Sequence, residues 1–350
     1  MHNNEVSFVN KEEKQSRFSF FYNVGTDLTG VSDTSAALRQ SKLDYEVEKQ
    51  VLSDMDVEVV IANCLTEDEV IEACKDADGI MCNLAPMSAR VIEKLDKCKV
   101  ISRYGVGFDN VDVAACTKKG IWLANVTDYC MEDVSDHALA LLMSCARKTA
   151  RRDAQVRKGM WNIGAADPIY RLTGKTFAFL GFGKIARCLL RKIKGFNFNE
   201  ILVYDPYLTE EQIAAEGARK VSFDEALSQG DYISIHIPLN NETRGVINGK
   251  AFDMMKKTAI LINTSRGPII NEKDLIDALK QGKINSAGID VHNKEPLDKD
   301  SELFEIENCV LTDHVGWYSE ESNVELKTKV AQNVKDVLNG GKPAYPVNKL

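Results

Sequence analysis

The stretch from Thr176 to Pro206, TFAFLGFGKIARCLLRKIKGFNFNEILVYDP, leaves this chain little choice of fold. An apolar run, Phe177 to Leu180, has strand character. Gly181, Gly183 and Ala186 follow in the spacing G-x-G-x-x-A, then a helical repeat with Ile185, Leu189, Ile193 and Phe196 on one face. A second apolar run, Ile201 to Tyr204, ends at Asp205. Strand, glycine turn, helix, strand and terminal acid make a βαβ unit suited to a dinucleotide. Gly181 permits the tight turn, Gly183 lets the backbone approach a pyrophosphate, and Ala186 is small enough for helix–strand packing. The free N–H groups and positive end of the helix face the phosphates. Asp205, about twenty residues on, is placed to accept hydrogen bonds from a ribose. A carboxylate there repels a 2′-phosphate, which favours NAD over NADP.

A chain of 350 residues has room for about two domains. Its net charge of −8 argues against a nucleic-acid binder. Nine cysteines without a CxxC pair read as buried thiols of a reducing compartment rather than a disulfide framework. The N-terminus lacks an apolar signal core and no run reaches the length of a membrane span, so the expected location is cytoplasmic. No His, Cys or Asp spacing matches a common metal-ligand set.

Residues 1–17 read as a flexible leader. Strands are expected at Phe18 to Val24, Val57 to Ala62, Gly79 to Asn83, Val100 to Ser102 and Trp122 to Asn125. Gly25 to Ala37 reads as a loop. Helices are expected at Leu43 to Leu52, at Glu67 to Cys74 (capped by Thr66 with Glu69), at Ser88 to Leu95 and at Asp112 to Lys118. This alternation makes the first region a small α/β domain with a parallel sheet. Thr127 or Asp128 is placed to cap a long helix through Arg147, with Val134, Ala138, Leu141, Leu142 and Cys145 on one face and further apolar surface elsewhere, as an interface helix has. His137 within it reads as a hydrogen-bonded packing residue. Arg151 to Arg171 reads as an irregular connection. Strands near 232–237, 259–263, 286–291 and 310–312 complete a doubly wound sheet of about six or seven strands, and Glu320 to Leu338 is a final amphipathic helix.

Ligands of open α/β sheets gather beyond the carboxyl ends of strands. His236 and Pro238, Asn263 to Gly267, Asp290 with Glu295, and His314 with Gly316 and Trp317 all fall there. Gly105 and Gly107, flanking Val106 after an earlier strand, leave amides uncrowded for a small anion, or simply make a turn.

INTSRG, GIDVHNKEP and LTDHVGW resemble the signatures of the D-isomer-specific 2-hydroxyacid dehydrogenases, over about residue 55 to the C-terminus. RYGVGFDNVD, NVTDYCMEDVSDHALALLM and HVGWYSEES are most similar to the branch containing the C-terminal-binding proteins. The resemblance implies a Rossmann NAD domain over residues 125–316 and a discontinuous, flavodoxin-like α/β substrate domain over residues 18–124 plus 317–350, with the catalytic cleft between them. It implies homodimers through the helix 131–147. It also assigns roles. Arg266 orients the keto acid, His314 is the acid/base, and Glu295 bonds the imidazole, fixing its tautomer and favouring its charged form. Gly105, Val106 and Gly107 hold the substrate carboxylate. Lys184, Ile185 and Asp205 contact the cofactor, and Thr264 and Asp290 lie on its nicotinamide side. His236, Pro238 and Thr243, with Arg266 and His314, are also placed against the cofactor, His236 as pocket wall. His292 reads as a solvated neighbour of Glu295. Trp317, with Tyr104 and Phe108, either forms aromatic pocket walls or packs between domains.

The expected activity is hydride transfer between NAD and a 2-oxo or D-2-hydroxy acid, and aromatic pocket walls would suit apolar or thioether-containing keto acids. Phosphoglycerate would need another cation, for which Arg103 is the candidate. An NADH-sensing interaction protein on the same fold is the alternative. Two departures stand out: Asp313 occupies a position where the family often has proline, and Glu295, rather than glutamine, argues against a formate dehydrogenase.

Overall fold

The computed structural model describes residues 5–7, 16–22, 45–161 and 167–350. The chain divides into two compact units, one of residues 1–129 and 319–350, the other of residues 130–318. The sequence reading drew these divisions at 124/125 and 316/317.

The first unit carries β1 (Glu5–Ser7), β2 (Ser16–Tyr22), β3 (Val57–Ala62), β4 (Gly79–Cys82), β5 (Val100–Arg103) and β6 (Trp122–Ala124). Strands β2 to β6 pair in parallel in the spatial order β3-β2-β4-β5-β6, the flavodoxin-like order. β4 and β5 are buried at every residue, as central parallel strands are. β1 pairs antiparallel with the carboxyl ends of both β2 and β3. Part of the expected leader, Glu5–Ser7 and the first residues of β2, is therefore in the sheet. Three residues are too few for a two-residue alternation to register in sequence. The expected loop Gly25 to Ala37 and the start of the helix expected from Leu43 lie outside the described residues. That helix is described as Glu46–Val51. Thr66 and Glu69 form the expected capping box, whereas the helix expected over Ser88 to Leu95 is a single turn, Ala89–Ile92.

The second unit carries β7 (Thr176–Leu180), β8 (Glu200–Tyr204), β9 (Arg219–Lys220), β10 (Tyr232–Ile235), β11 (Ile260–Asn263), β12 (Ser286–Ile289) and β13 (Cys309–Leu311). They form one wholly parallel sheet in the order β13-β12-β11-β10-β7-β8-β9, the Rossmann arrangement with its switch point between β7 and β10. Successive side chains feed opposite cores. Phe177 and Phe179 join Ala138, Leu141 and Leu189 on one face, while Ala178 and Leu180 join Ala226, Phe252 and Leu275 on the other. The two-residue β9 is too short to have been read from sequence.

The long helix runs Met131–Arg147 and buries Val134, Ala138, Leu141, Leu142 and Cys145, the expected face. Leu139 and Met143 also pack, half-buried, against the same core. Its N-terminus is Cys130, not Thr127 or Asp128. Asp128 is instead taken by Lys329 (2.8 Å) and the Tyr345 hydroxyl (3.0 Å), long-range partners that a local capping pattern does not reveal. Within the connection expected to be irregular, Thr149–Arg157 is a helix with no buried residue. With no apolar stripe it left no periodic signal. Among the described residues no helix is long and apolar enough to cross a membrane.

Candidate active site

The second unit gathers most of the candidate residues at one edge of its sheet, just past the carboxyl ends of β7, β8, β10, β11, β12 and β13. At the switch point, Gly181 has φ 89°, and a Cβ there would stand 2.7 Å from the backbone carbon of His236. The turn therefore requires glycine on two counts. Gly183 differs: its φ is −77° and an added Cβ meets nothing within 4 Å. Neither packing nor conformation demands a glycine there. A glycine there leaves open space at the N-terminus of the helix Lys184–Ile193, as a pyrophosphate would need. Gly183 and Lys184 are exposed and Ile185 half-buried at this end. Asp205 Oδ2 accepts the Phe182 N–H at 2.9 Å and Oδ1 accepts those of Tyr207 and Leu208, which fixes the carboxylate beside the glycine turn.

His236 follows β10, its Nε2 2.8 Å from Ser234 Oγ. Burial pushes this imidazole down to about 4, so it is neutral at ordinary pH and ill suited to act as the acid. Thr243 Oγ1 donates to the Pro238 carbonyl at 2.6 Å, joining these two candidates in one turn. Thr264 follows β11, and its Oγ1 is buried with no hydrogen-bond partner among the described residues. A buried hydroxyl without a partner fits a cofactor group that supplies one.

Arg266 sits in the turn after β11, its Nη1 donating to the Ser265 carbonyl at 2.8 Å. Gly267, read from the sequence only as part of this strand-end group, has a role that reading did not give it. A Cβ there would lie 2.0 Å from the His292 backbone carbon, so only glycine lets the Arg266 turn pack on the loop that carries Glu295. No local pattern reveals a contact between loops of two different strands.

Glu295 Oε1 accepts the His292 N–H at 2.8 Å, and Oε2 meets His314 Nδ1 at 2.7 Å. Burial opposes ionisation of Glu295, but the hydrogen bond and charge of His314 outweigh it and hold the carboxyl below its usual range. His314 is one-third exposed, and Nδ1 carries its only side-chain hydrogen bond among the described residues, so Nε2 is the outward nitrogen. Its φ is 58°, a left-handed conformation rare outside glycine. Trp317, half-buried, packs edge-on against Tyr318 at 5.5 Å.

Asp290 is buried and its carboxylate is taken up by the protein. Thr312 Oγ1 (2.6 Å), Val315 N–H (3.1 Å) and His137 Nε2 (3.1 Å) meet Oδ1, and Gly316 N–H (3.0 Å) meets Oδ2. Burial works against the charge, yet the hydrogen bonds and charge of the neighbouring groups, His137 foremost, hold the carboxyl at about 2. His292, expected in solvent, is buried, its Nε2 2.8 Å from the Thr312 carbonyl.

In the first unit, Gly105, Val106 and Gly107 follow β5. Asn125 Nδ2 holds the Val106 carbonyl at 2.6 Å and the Val126 N–H holds that of Gly105 at 3.0 Å. No backbone acceptor among the described residues takes the N–H groups of Gly105, Val106 or Gly107. Tyr104 is not a pocket wall of this loop: its ring is buried and its hydroxyl donates to Glu48 at 2.8 Å. The buried Glu48 lies far upstream, out of reach of a motif reading. Phe108 packs, half-buried, on the unit's own core.

Residues 139–316 match the family model described as "D-isomer specific 2-hydroxyacid dehydrogenase, NAD binding domain". The chain belongs to this family. It is similar to a glyoxylate reductase of Korarchaeum cryptofilum, 37% identical over 285 residues covering 80% of this chain and 85% of that one. A D-3-phosphoglycerate dehydrogenase of Methanocaldococcus jannaschii is 38% identical over 285 residues, 81% of this chain but only 54% of that longer protein. Among solved structures, a glyoxylate reductase from Paecilomyes thermophila superposes with a TM-score of 0.74 at 30% identity, covering 80% of this chain and 88% of that one. This dehydrogenase is thus an NAD-dependent oxidoreductase acting on CH–OH groups.

Proposed function

We propose that the enzyme interconverts a small 2-oxo acid and the corresponding D-2-hydroxy acid, with Arg266 orienting the substrate and His314 and Glu295 as the acid–base pair. The observation that carries this reading is the 2.7 Å contact between Glu295 and His314 Nδ1, which leaves Nε2 outward at the sheet edge shared with the glycine turn. NADH, when bound, supplies the hydride that reaches the substrate's C2. In reduction the carbonyl oxygen gains negative charge, which the Arg266 guanidinium stabilises while its planar fork fixes the oxygen pair of the keto acid. His314, as the imidazolium, gives that oxygen the Nε2 proton, and Glu295, accepting from Nδ1–H, fixes the ring so that Nε2 is a donor while the ring is charged and an acceptor once it is neutral. The uncommitted amides of Gly105, Val106 and Gly107 take the carboxylate. In oxidation His314 removes the hydroxyl proton instead.

Unphosphorylated acids such as glyoxylate or hydroxypyruvate are the favoured substrates. Arg103, the cation the sequence offers for a phosphate, is buried with its Nη1 on the Tyr104 carbonyl. The cytoplasm is the proposed location. The proposed assembly is a homodimer through the helix 131–147 and the exposed apolar residues that follow it, Met160 and Trp161.

The test is initial-rate NADH oxidation with a panel of 2-oxo acids including 3-phosphohydroxypyruvate, run on the wild type and His314→Ala. The variant is expected to lose about a hundredfold or more in turnover while binding NADH normally. Normal turnover by the variant sinks the acid–base assignment. Silence of the wild type across the panel favours an NADH-sensing role.

A further inference from the structure

The turn that presents His314 is held by residues outside the reacting set. A non-glycine residue at φ 58° is costly, so its surroundings must over-determine it. Thr312, two residues earlier, is gripped at both polar groups. Its hydroxyl donates to the ionised Asp290 at 2.6 Å and therefore accepts the Nε2 proton of His137 at 2.9 Å. Its carbonyl accepts the Nε2 proton of His292 at 2.8 Å. The other ring nitrogen of His292, Nδ1, is buried with no hydrogen-bond partner among the described residues, so Nε2 carries the ring's hydrogen bond to this turn. Asp290 then closes the turn from the far side. Its backbone carbonyl takes the His314 N–H at 2.8 Å and its carboxylate takes those of Val315 and Gly316.

We propose that His137 and His292 are positioning residues for the acid–base step, acting through Thr312 and Asp290 to fix where the His314 imidazole stands. The inference rests on the reading of His314 as proton donor. His137 comes from the helix Met131–Arg147 and His292 from the loop after β12, so two separate elements clamp one threonine. Proton transfer is sensitive to displacement of the imidazole by an ångström, on the order of a hundredfold. Cofactor binding at the glycine turn is not. Loosening the clamp should therefore lower kcat while NADH affinity and KM hold.

The experiment compares His137→Leu, His137→Gln and Thr312→Val, which removes only the hydroxyl, with His314→Ala. Rates are read with glyoxylate and hydroxypyruvate, and NADH binding by fluorescence titration. His137→Leu and Thr312→Val should each lose about tenfold or more in kcat, with KM and the NADH Kd within about twofold. The double variant should fall no further than the worse single, since both cut one clamp. His137→Gln, which keeps an N–H donor, should recover most of the rate. Should His137→Leu fail to fold, Thr312→Val decides alone. Turnover within about twofold of wild type in Thr312→Val, or a parallel loss of NADH binding, overturns the clamp. If His314→Ala alone loses turnover, only this inference fails; if His314→Ala keeps it, the acid–base reading fails first.

Discussion

Asp290 shows how one buried charge organises a reactive turn. Its carboxyl, lowered from 3.8 to about 2, represents about 2 kcal/mol of stability at neutral pH. Because the folded-state pKa lies below the unfolded one, that stabilisation is complete above about pH 4 and is lost as pH falls through about 2. Asp290→Asn should therefore lower urea-unfolding stability by about 2 kcal/mol at pH 7, and the gap to wild type should close on acidification. A gap independent of pH would show that shape, not charge, is what the position supplies. Gly267 acts through size alone. Gly267→Ala forces the His292 backbone away, at a cost of about 2 kcal/mol or more, and should reduce turnover because Arg266 and Glu295 ride on the two loops it joins. An alanine variant with normal melting and normal kinetics would contradict this close packing, in which a Cβ on residue 267 would fall 2.0 Å from the His292 backbone carbon.

Among the elements, the glycine turn after β7 separates folding from binding. Gly181→Ala should destabilise the unit, since φ 89° and the His236 backbone both resist a Cβ. Gly183→Ala should melt as wild type yet weaken NADH binding, visible as a raised Kd by fluorescence titration. Equal effects of the two on melting would refute the division. The strands and the longer helices were legible because burial on one face writes a period into the sequence, as with Val134, Ala138, Leu141, Leu142 and Cys145 of the long helix. Thr149–Arg157 buries nothing and β1 spans three residues, so neither wrote one.

At the scale of the whole molecule, the proposed homodimer makes its own prediction. Trp161 is 83% exposed, with Met160 and Val156 also uncovered nearby in the chain. These side chains are the ones the proposed dimer would cover. Trp161→Glu is expected to shift sedimentation from dimer toward monomer. A wild type that sediments as a monomer at micromolar concentration would remove the proposed interface.

The longer strands and helices, the glycine turn and the candidacy of Arg266, Glu295 and His314 came from the sequence, because each depends on local periodicity, a short motif or a family resemblance carried by contiguous residues. The tertiary structure alone decided what surrounds them: Gly267 against His292, Tyr104 turned inward to Glu48, and Thr312 clasped by His137, Asp290 and His292. Those contacts join residues far apart in the chain, and their strength comes from burial and hydrogen-bond geometry, which no spacing along the chain encodes.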